Sequence, residues 1–265
     1  MHTRKEFHAY WLGVNEVAAK HGYRVEPFTP SAMLSITRIQ QIMHARNIRG
    51  ILVPPPQSTF TLKLDDFDWS KLAVVKFGHA HPGLRASLVT SAHVFNAALA
   101  MQKMAERGYL RIGFVTSDYS RRHTHFLSGI LHAQVELPPE GRVPFLSLSE
   151  DDIVNSDPSR LGVWLRHAQP DAVLTNMREV PEMIRRLGLR IPDDVPVAVL
   201  SVHDGNADSG IDQNPIEIGR AGCEAVVSMI LHGKFGLPRH PRELLIEGSW
   251  VDGKSLPVCK VHSHR

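Results

Sequence analysis

Short apolar runs alternating with amphipathic stretches limit the folds open to this chain more than any other feature. Gly50-Ile51-Leu52-Val53, Leu72-Ala73-Val74-Val75-Lys76-Phe77, Ser87-Leu88-Val89 and Arg111-Ile112-Gly113-Phe114-Val115-Thr116 read as strands. So do Tyr23-Arg24-Val25-Glu26-Pro27-Phe28, Val143 to Leu148, Asp171-Ala172-Val173-Leu174-Thr175, Val195 to Val202 and Leu244-Leu245-Ile246. Most are continuously apolar rather than alternating, the mark of strands buried on both faces. Between them lie helical patterns. Phe7, Tyr10, Trp11, Val14, Val17, Ala18 and His21 recur at helical spacing and Gly22 stops them. Ser31 can cap a helix through Asn47, and further helices are predicted over 93–107, 120–133, 158–168, 179–187 and 214–232.

Strands alternating with helices imply βαβ units and parallel sheets. About nine strands exceed one small sheet and suit an α/β chain of two Rossmann-like lobes with parallel sheets. In such folds ligands bind beyond the carboxyl ends of the strands.

Composition narrows the class. The 265 residues are 43% hydrophobic and 22% charged, near a soluble globular average, which excludes a disordered, collagenous or disulfide-framed chain. Lys and Arg exceed Asp and Glu by 30 to 27, without a basic block, so the residues themselves carry little signal for nucleic acid. Two cysteines, Cys223 and Cys259, fit a reducing cytosol. The start Met1-His2-Thr3-Arg4-Lys5-Glu6 has no apolar run behind it, so no secretory signal is expected, and no run reaches the length of a membrane span. A cytoplasmic location follows as the expectation.

The common chemical motifs are absent. The sequence shows no Walker A loop, no Gly-x-Gly-x-x-Gly after a strand, no Gly-x-Ser-x-Gly and no His-Glu-x-x-His. Neither a cofactor nor a metal is expected. Cys259-x-x-His262-x-His264 has metal-capable residue types but lies in the terminal stretch, read as a solvated tail. His123-Thr124-His125 after Arg121-Arg122 reads either as a hydroxyl- or carboxylate-recognising turn or as an exposed cationic helix start. His203-Asp204 ends a buried strand and serves as a general-base pair, a ligand-binding pair or a polar turn. Asn176 at the end of 172–175 is a helix cap or an amide for a ligand's hydroxyls.

Several segments in order resemble the effector-binding core of the lac repressor and galactose repressor family. They are Arg49-Gly50-Ile51-Leu52-Val53, Met104 to Val115, Pro170 to Asn176, Leu187-Gly188-Leu189-Arg190-Ile191-Pro192-Asp193-Asp194-Val195, and Gln213 with Ile218-Gly219-Arg220-Ala221-Gly222. The resemblance spans residues 5 to about 257. It implies two lobes of the periplasmic-binding-protein type joined by three crossovers, expected near Leu110, Ile211 and Glu247. The lobes would then be 1–110 with 212–243 and 111–211 with 244–258, followed by a flexible tail, 259–265. A small molecule, a sugar or related polyol, is implied between the lobes, with closure controlling operator binding.

The sequence departs from the family pattern. The helix-turn-helix domain and hinge helix that precede the family's core have no counterpart, so operator DNA is expected to be read only through a missing N-terminal domain. The family's first strand also has no counterpart, and its loss would leave strand edges open. Where the family places an arginine three residues before Gly129, this sequence has Phe126; Ala92 and His93 stand at the usual acidic helix start; Met177 follows Asn176; and His203-Asp204 replaces an Asp-Asp pair. The expected ligand contacts are therefore His93, Ser117, Arg122, Phe126, Asn176, His203 and Asp204. The chain reads as the effector-binding core of a regulator, a homodimer built partly on helices 5–21 and 212–232 and not an enzyme. Two rivals are a stand-alone solute-binding module and an enzyme using His203-Asp204.

Overall fold

The computed structural model describes residues 5–28, 36–55, 67–79, 81 and 83–259, with the side chains of residues 5 and 121–123 outside that description. The expected cap Ser31 and the tail residues His262 and His264 also lie outside it.

In chain order, α1 (Lys5–Lys20) and α2 (Ile36–Ala45) lead into β1 (Gly50–Val53), β2 (Ala73–Phe77) and β3 (Ser87–Ser91). Next come α3 (His93–Glu106), β4 (Ile112–Ser117), α4 (Asp118–His123), α5 (Phe126–Val135), β5 (Leu146–Leu148), α6 (Glu150–Val154) and α7 (Ser159–Ala168). Then follow β6 (Ala172–Thr175), α8 (Val180–Arg186), β7 (Val197–Val199), β8 (Gly210–Asp212), α9 (Pro215–Leu231), β9 (Glu243–Ile246) and β10 (Ser249–Val251). Two compact units result: Met1–Ser91 with Asn214–Ile246, and Ala92–Gln213 with Glu247–Arg265. The α/β class and the parallel-dominated sheets match the sequence expectation.

The first unit holds a four-stranded sheet in the order β1-β2-β3-β9, parallel throughout. Strand periodicity sends Ala73, Val75 and Phe77 of β2 to one face, where Val14, Val17, Ile218 and Val227 of α1 and α9 cover them. Val74 turns to the other face, toward Ile39 of α2, Trp69 and Leu72. Helices α1 and α9 approach unusually closely, because a Cβ on Gly13 would stand 2.0 Å from the Ile216 carbonyl oxygen and one on Gly219 2.2 Å from that of Tyr10. Arg220 reaches Glu16 across this contact at 2.8 Å, an exposed pair of small energetic weight.

Residues 23–28, expected as a strand, join no ladder, and among the described residues β1 pairs with β2 alone. Side chains hold the segment instead: Val25 packs on the α1/α9 core and Glu26 pairs with Arg46 at 3.1 Å.

The second unit holds a six-stranded sheet in the order β10-β8-β7-β6-β4-β5. It is parallel except for β10, which runs antiparallel to β8. Its central strands are buried on both faces. Ile112, Phe114, Leu174 and Ala198 face α3 and α5, whereas Val115, Val173, Val197 and Val199 face α7 and α8. The predicted helix over 120–133 is split into α4 and α5 at Thr124-His125.

The unit boundaries differ from those expected. The chain passes between units at 91/92, 213/214 and 246/247. The first passage precedes α3 rather than following it near Leu110, because Ala97, Ala100, Met101 and Met104 bury in the core that also contains Phe126 and Ile130 of α5. The strand β9 pairs with β3, so residues 244–246 belong to the first unit and not to the second.

Two tests follow. Replacing Gly219 by Ala should destabilise the first unit by about 1–3 kcal/mol, because the added methyl meets backbone that cannot yield; urea denaturation checks this. Tyr109, 3% exposed, donates its hydroxyl to the Pro257 carbonyl at 2.7 Å, and burial pushes its pKa up to about 12 from the usual 10. Its raised folded value means that the stabilisation is complete below pH 10 and is lost as pH climbs toward about 12. Melting temperature should therefore fall more steeply across that window in the native protein than in Tyr109→Phe.

Candidate functional site

Burial of both faces of β4, β6 and β7 leaves their carboxyl ends as the place where polar side chains gather. At the end of β4, Ser117 starts α4 as its N-cap, its Oγ accepting the Ser120 backbone N–H at 3.0 Å. Beside it, Asp118 Oδ1 accepts the Ser147 hydroxyl of β5 at 2.6 Å, tying α4 to the neighbouring strand. At the end of β6, the Thr175 hydroxyl donates to the Val115 carbonyl at 2.8 Å and accepts the Met177 N–H at 3.0 Å. This local turn fixes the backbone around Asn176. The Asn176 Nδ2 then donates to Ser120 Oγ at 2.7 Å, joining residues 56 apart in sequence. Its Oδ1 is buried and accepts no hydrogen bond.

At the end of β7, His203 Nε2 lies 3.1 Å from Asp212 Oδ1. A carboxylate can only accept, so the ring nitrogen is the donor. The imidazole's partner is thus Asp212 of β8 and not its sequence neighbour Asp204, with which the sequence had coupled it. Asp204 is half-buried in the turn that follows. In the same loop Asp208 is committed to structure, accepting the Lys254 and Ser255 N–H groups at 3.0 and 2.8 Å. Burial alone would raise the Asp208 carboxyl, but these bonds outweigh it and hold the group below the usual carboxylate range.

His93 opens α3, and its ring packs against Phe126 with centroids 4.3 Å apart and planes tilted by 47°. Phe126 is 4% exposed and belongs to the core beneath α3 and α5. It forms a wall of the unit more than a surface. Arg122 lies on α4, but its side chain is outside the described residues.

The structure therefore links Ser117 to Asn176 through Ser120, His93 to Phe126, and His203 to Asp212. Sequence reading passed over Ser120 and Asp212. Ser-x-x-Ser at a strand end is a usable cap signal for the first; the second sits on a three-residue strand with no periodicity to display. The Ser117, Ser120 and Asn176 set consists of neutral hydrogen-bonding groups, chemistry for recognising a polar ligand. Among the described residues no cluster of His, Cys, Asp and Glu can hold a metal ion. Cys259 is tied by its backbone N–H to the Arg107 carbonyl at 2.8 Å.

Comparison with known proteins adds the following. A family model described as a periplasmic binding protein-like domain matches residues 101–256, more than half of the chain. Among similar solved structures is the transcriptional regulator CelR in complex with cellobiose, at 19% identity and a TM-score of 0.66, the match covering 95% of this chain and 79% of that one. A LacI family transcriptional regulator from Enterococcus faecium with bound ribose is 12% identical with a TM-score of 0.67, covering 97% and 96%. A regulatory protein of the LacI family from Chloroflexus aggregans is 19% identical with a TM-score of 0.67, covering 94% and 92%. Such identities establish a shared fold. A search of the curated proteins returns no significant match.

Phe126 gives this geometry a test. Phe126→Ala should destabilise the second unit by about 3–5 kcal/mol, the cost of a large core cavity. Phe126→Leu, which keeps most of the volume, should cost less than half as much in the same denaturation experiment.

Proposed function

Because this chain belongs to the periplasmic binding protein-like family, we propose that it is the effector-binding and dimerisation core of a LacI-type transcriptional regulator. The effector is a small hydroxylated molecule, a sugar or related polyol. It is recognised at the carboxyl ends of β4, β6 and β7, with contacts from Asn176, Ser117, His203, Asp204, His93 and Arg122. Phe126 supports the His93 ring from beneath.

The observation that carries this reading is the likeness along almost the whole chain to transcriptional regulators, among them CelR solved with cellobiose and a LacI family member solved with ribose. The Asn176 oxygen supports it from within the molecule, because a buried acceptor without a partner at a strand's carboxyl end suits a ligand donor. Operator DNA is contacted through an N-terminal helix-turn-helix domain. The protein works in the cytoplasm as a homodimer, with α1 and α9 offering part of the interface, where Leu12 and Ile216 are exposed. Among the described residues no helix is long and apolar enough to cross a membrane.

An effector that binds the folded state raises stability by about 2.7 kcal/mol at a hundred times its Kd. Thermal shift and calorimetric titration with D-ribose, cellobiose, maltose and D-glucose therefore test the assignment. Asn176→Ala and Asp204→Ala should each weaken the binding sugar by about tenfold, the equivalent of one buried hydrogen bond, and leave the fold intact. Unchanged binding in both variants would remove the site.

A further inference from the structure

We propose that Ser120 is a positioning residue that commits Asn176 to act as a hydrogen-bond acceptor, so that this subsite selects an effector bearing a hydroxyl or N–H and excludes anionic groups at that point. The inference rests on the effector-binding reading above and adds the polarity of one contact.

The amide is locked from both sides. Its backbone is held because Thr175 bonds Val115 O and the Met177 N–H at 2.8 and 3.0 Å, and because the Leu200 N–H donates to the Thr175 carbonyl at 2.8 Å. Ser120 is equally fixed. Its N–H reaches Ser117 Oγ at 3.0 Å, and its carbonyl accepts the Thr124 N–H and hydroxyl, both at 2.8 Å. Between these two anchors runs the 2.7 Å bond from Asn176 Nδ2 to Ser120 Oγ. With one amino N–H committed to Ser120, the amide is held in the orientation whose oxygen is buried and bonded to nothing.

A buried acceptor left without a donor opposes folding. Another such atom, Asp171 Oδ1, has a structural excuse. The same carboxylate's Oδ2 accepts the Leu110 and Arg111 N–H groups at 2.7 and 2.9 Å, at the amino end of the sheet. Asn176 stands at the opposite, carboxyl end, and its oxygen serves no such purpose. An amide oxygen accepts and never donates. A hydroxyl or N–H satisfies it, whereas a carboxylate or phosphate oxygen brings lone pairs against lone pairs.

Two measurements test this on the whole chain. The first needs no effector: the side-chain amide of Asn176 in the 15N–1H spectrum, assigned by its loss in Asn176→Asp. In the free protein the amide proton bonded to Ser120 should lie downfield of its position in Ser120→Ala and exchange more slowly with solvent than it does there. Ser120→Ala should return it to the shift and exchange rate of an exposed asparagine amide, and Ser120→Thr should preserve the native values. An unprotected Asn176 amide in the native protein, unchanged in Ser120→Ala, would overturn the positioning role.

The second measurement uses D-ribose, D-glucose and D-mannitol as neutral hydroxylated probes and glucose 6-phosphate as the anionic one. For a neutral probe that binds, Asn176→Asp retains the acceptor and should hold affinity within about threefold, whereas Asn176→Leu should lose about tenfold or more. Equal losses in the two variants would show that the amide donates, and would overturn the assignment. Binding of glucose 6-phosphate and of none of the neutral probes would overturn the donor requirement. Should no probe bind while the amide signature persists, the hydroxylated-effector assignment falls and the Ser120–Asn176 bond stands.

Discussion

Double-sided burial of the parallel strands is the constraint on which the rest of this structure depends. Once both faces of β2, β4, β6 and β7 are covered by helices, polar side chains can survive in the sheet only near its ends. The buried polar residues follow that rule in both units. Lys76 lies at the end of β2, Thr90 and Ser91 at the end of β3, Thr116 and Ser117 at the end of β4, and Thr175 at the end of β6. Each is near a carboxyl terminus. Lys76 shows what such burial demands: its ammonium donates to the carbonyls of His81 and Leu84 at 2.9 and 2.8 Å. Desolvation still pulls its pKa below the usual lysine value, with Glu243 opposing that shift.

The same sheet governs how the chain leaves and re-enters the second unit. Asn96, fully buried on α3, accepts the Gly248 N–H at 2.7 Å just before β10 begins. A Cβ on Gly248 would come within 2.6 Å of the Asp212 carbonyl oxygen and 2.9 Å of Asn96 Oδ1. Three stretches, the start of α3, the end of β8 and the entry to β10, therefore meet at one glycine. His203 holds the Asp212 side chain from the carboxyl end of β7. His203 thus stands one bond away from the stretch where the chain passes out of this unit at 213/214.

Where local pattern and burial agree, the sequence was a sufficient guide. The strands β2, β4 and β6 announce themselves as apolar runs, and α3 and α9 as long amphipathic segments. Asn176 was visible because it follows such a run directly. What escaped notice depends on contacts that local pattern does not encode. The strands β8 and β10 have three residues each and exist through pairing with one another. The segment 23–28 has strand-like composition but joins no ladder, although β1 pairs with β2 alone among the described residues; side-chain packing and an ion pair hold it instead. Ser120 meets Asn176 across 56 positions, and His203 prefers a carboxylate nine residues on to the one next to it. The displaced boundary near Leu110 has the same origin, since an amphipathic helix does not reveal which of two cores its apolar stripe will join.

The Asn176 oxygen is buried and accepts no hydrogen bond from the protein, an arrangement that costs about 1–3 kcal/mol in general. Natural sequences sit just above the stability they need, so an unrelieved loss of that size persists where function requires it. A ligand donor on the oxygen would relieve that cost, and its consequences would extend through the bonds already in place. Ser120 joins that amide to the cap of α4, a helix of six residues with little stability of its own. Asp118 carries the connection on to Ser147 of β5. An effector donating to that oxygen, as proposed above, would therefore also brace α4 against two strands. Differential affinity, which any regulatory change of state requires, would then arise from a ligand bond that strengthens an arrangement already held by Ser120 and Asp118.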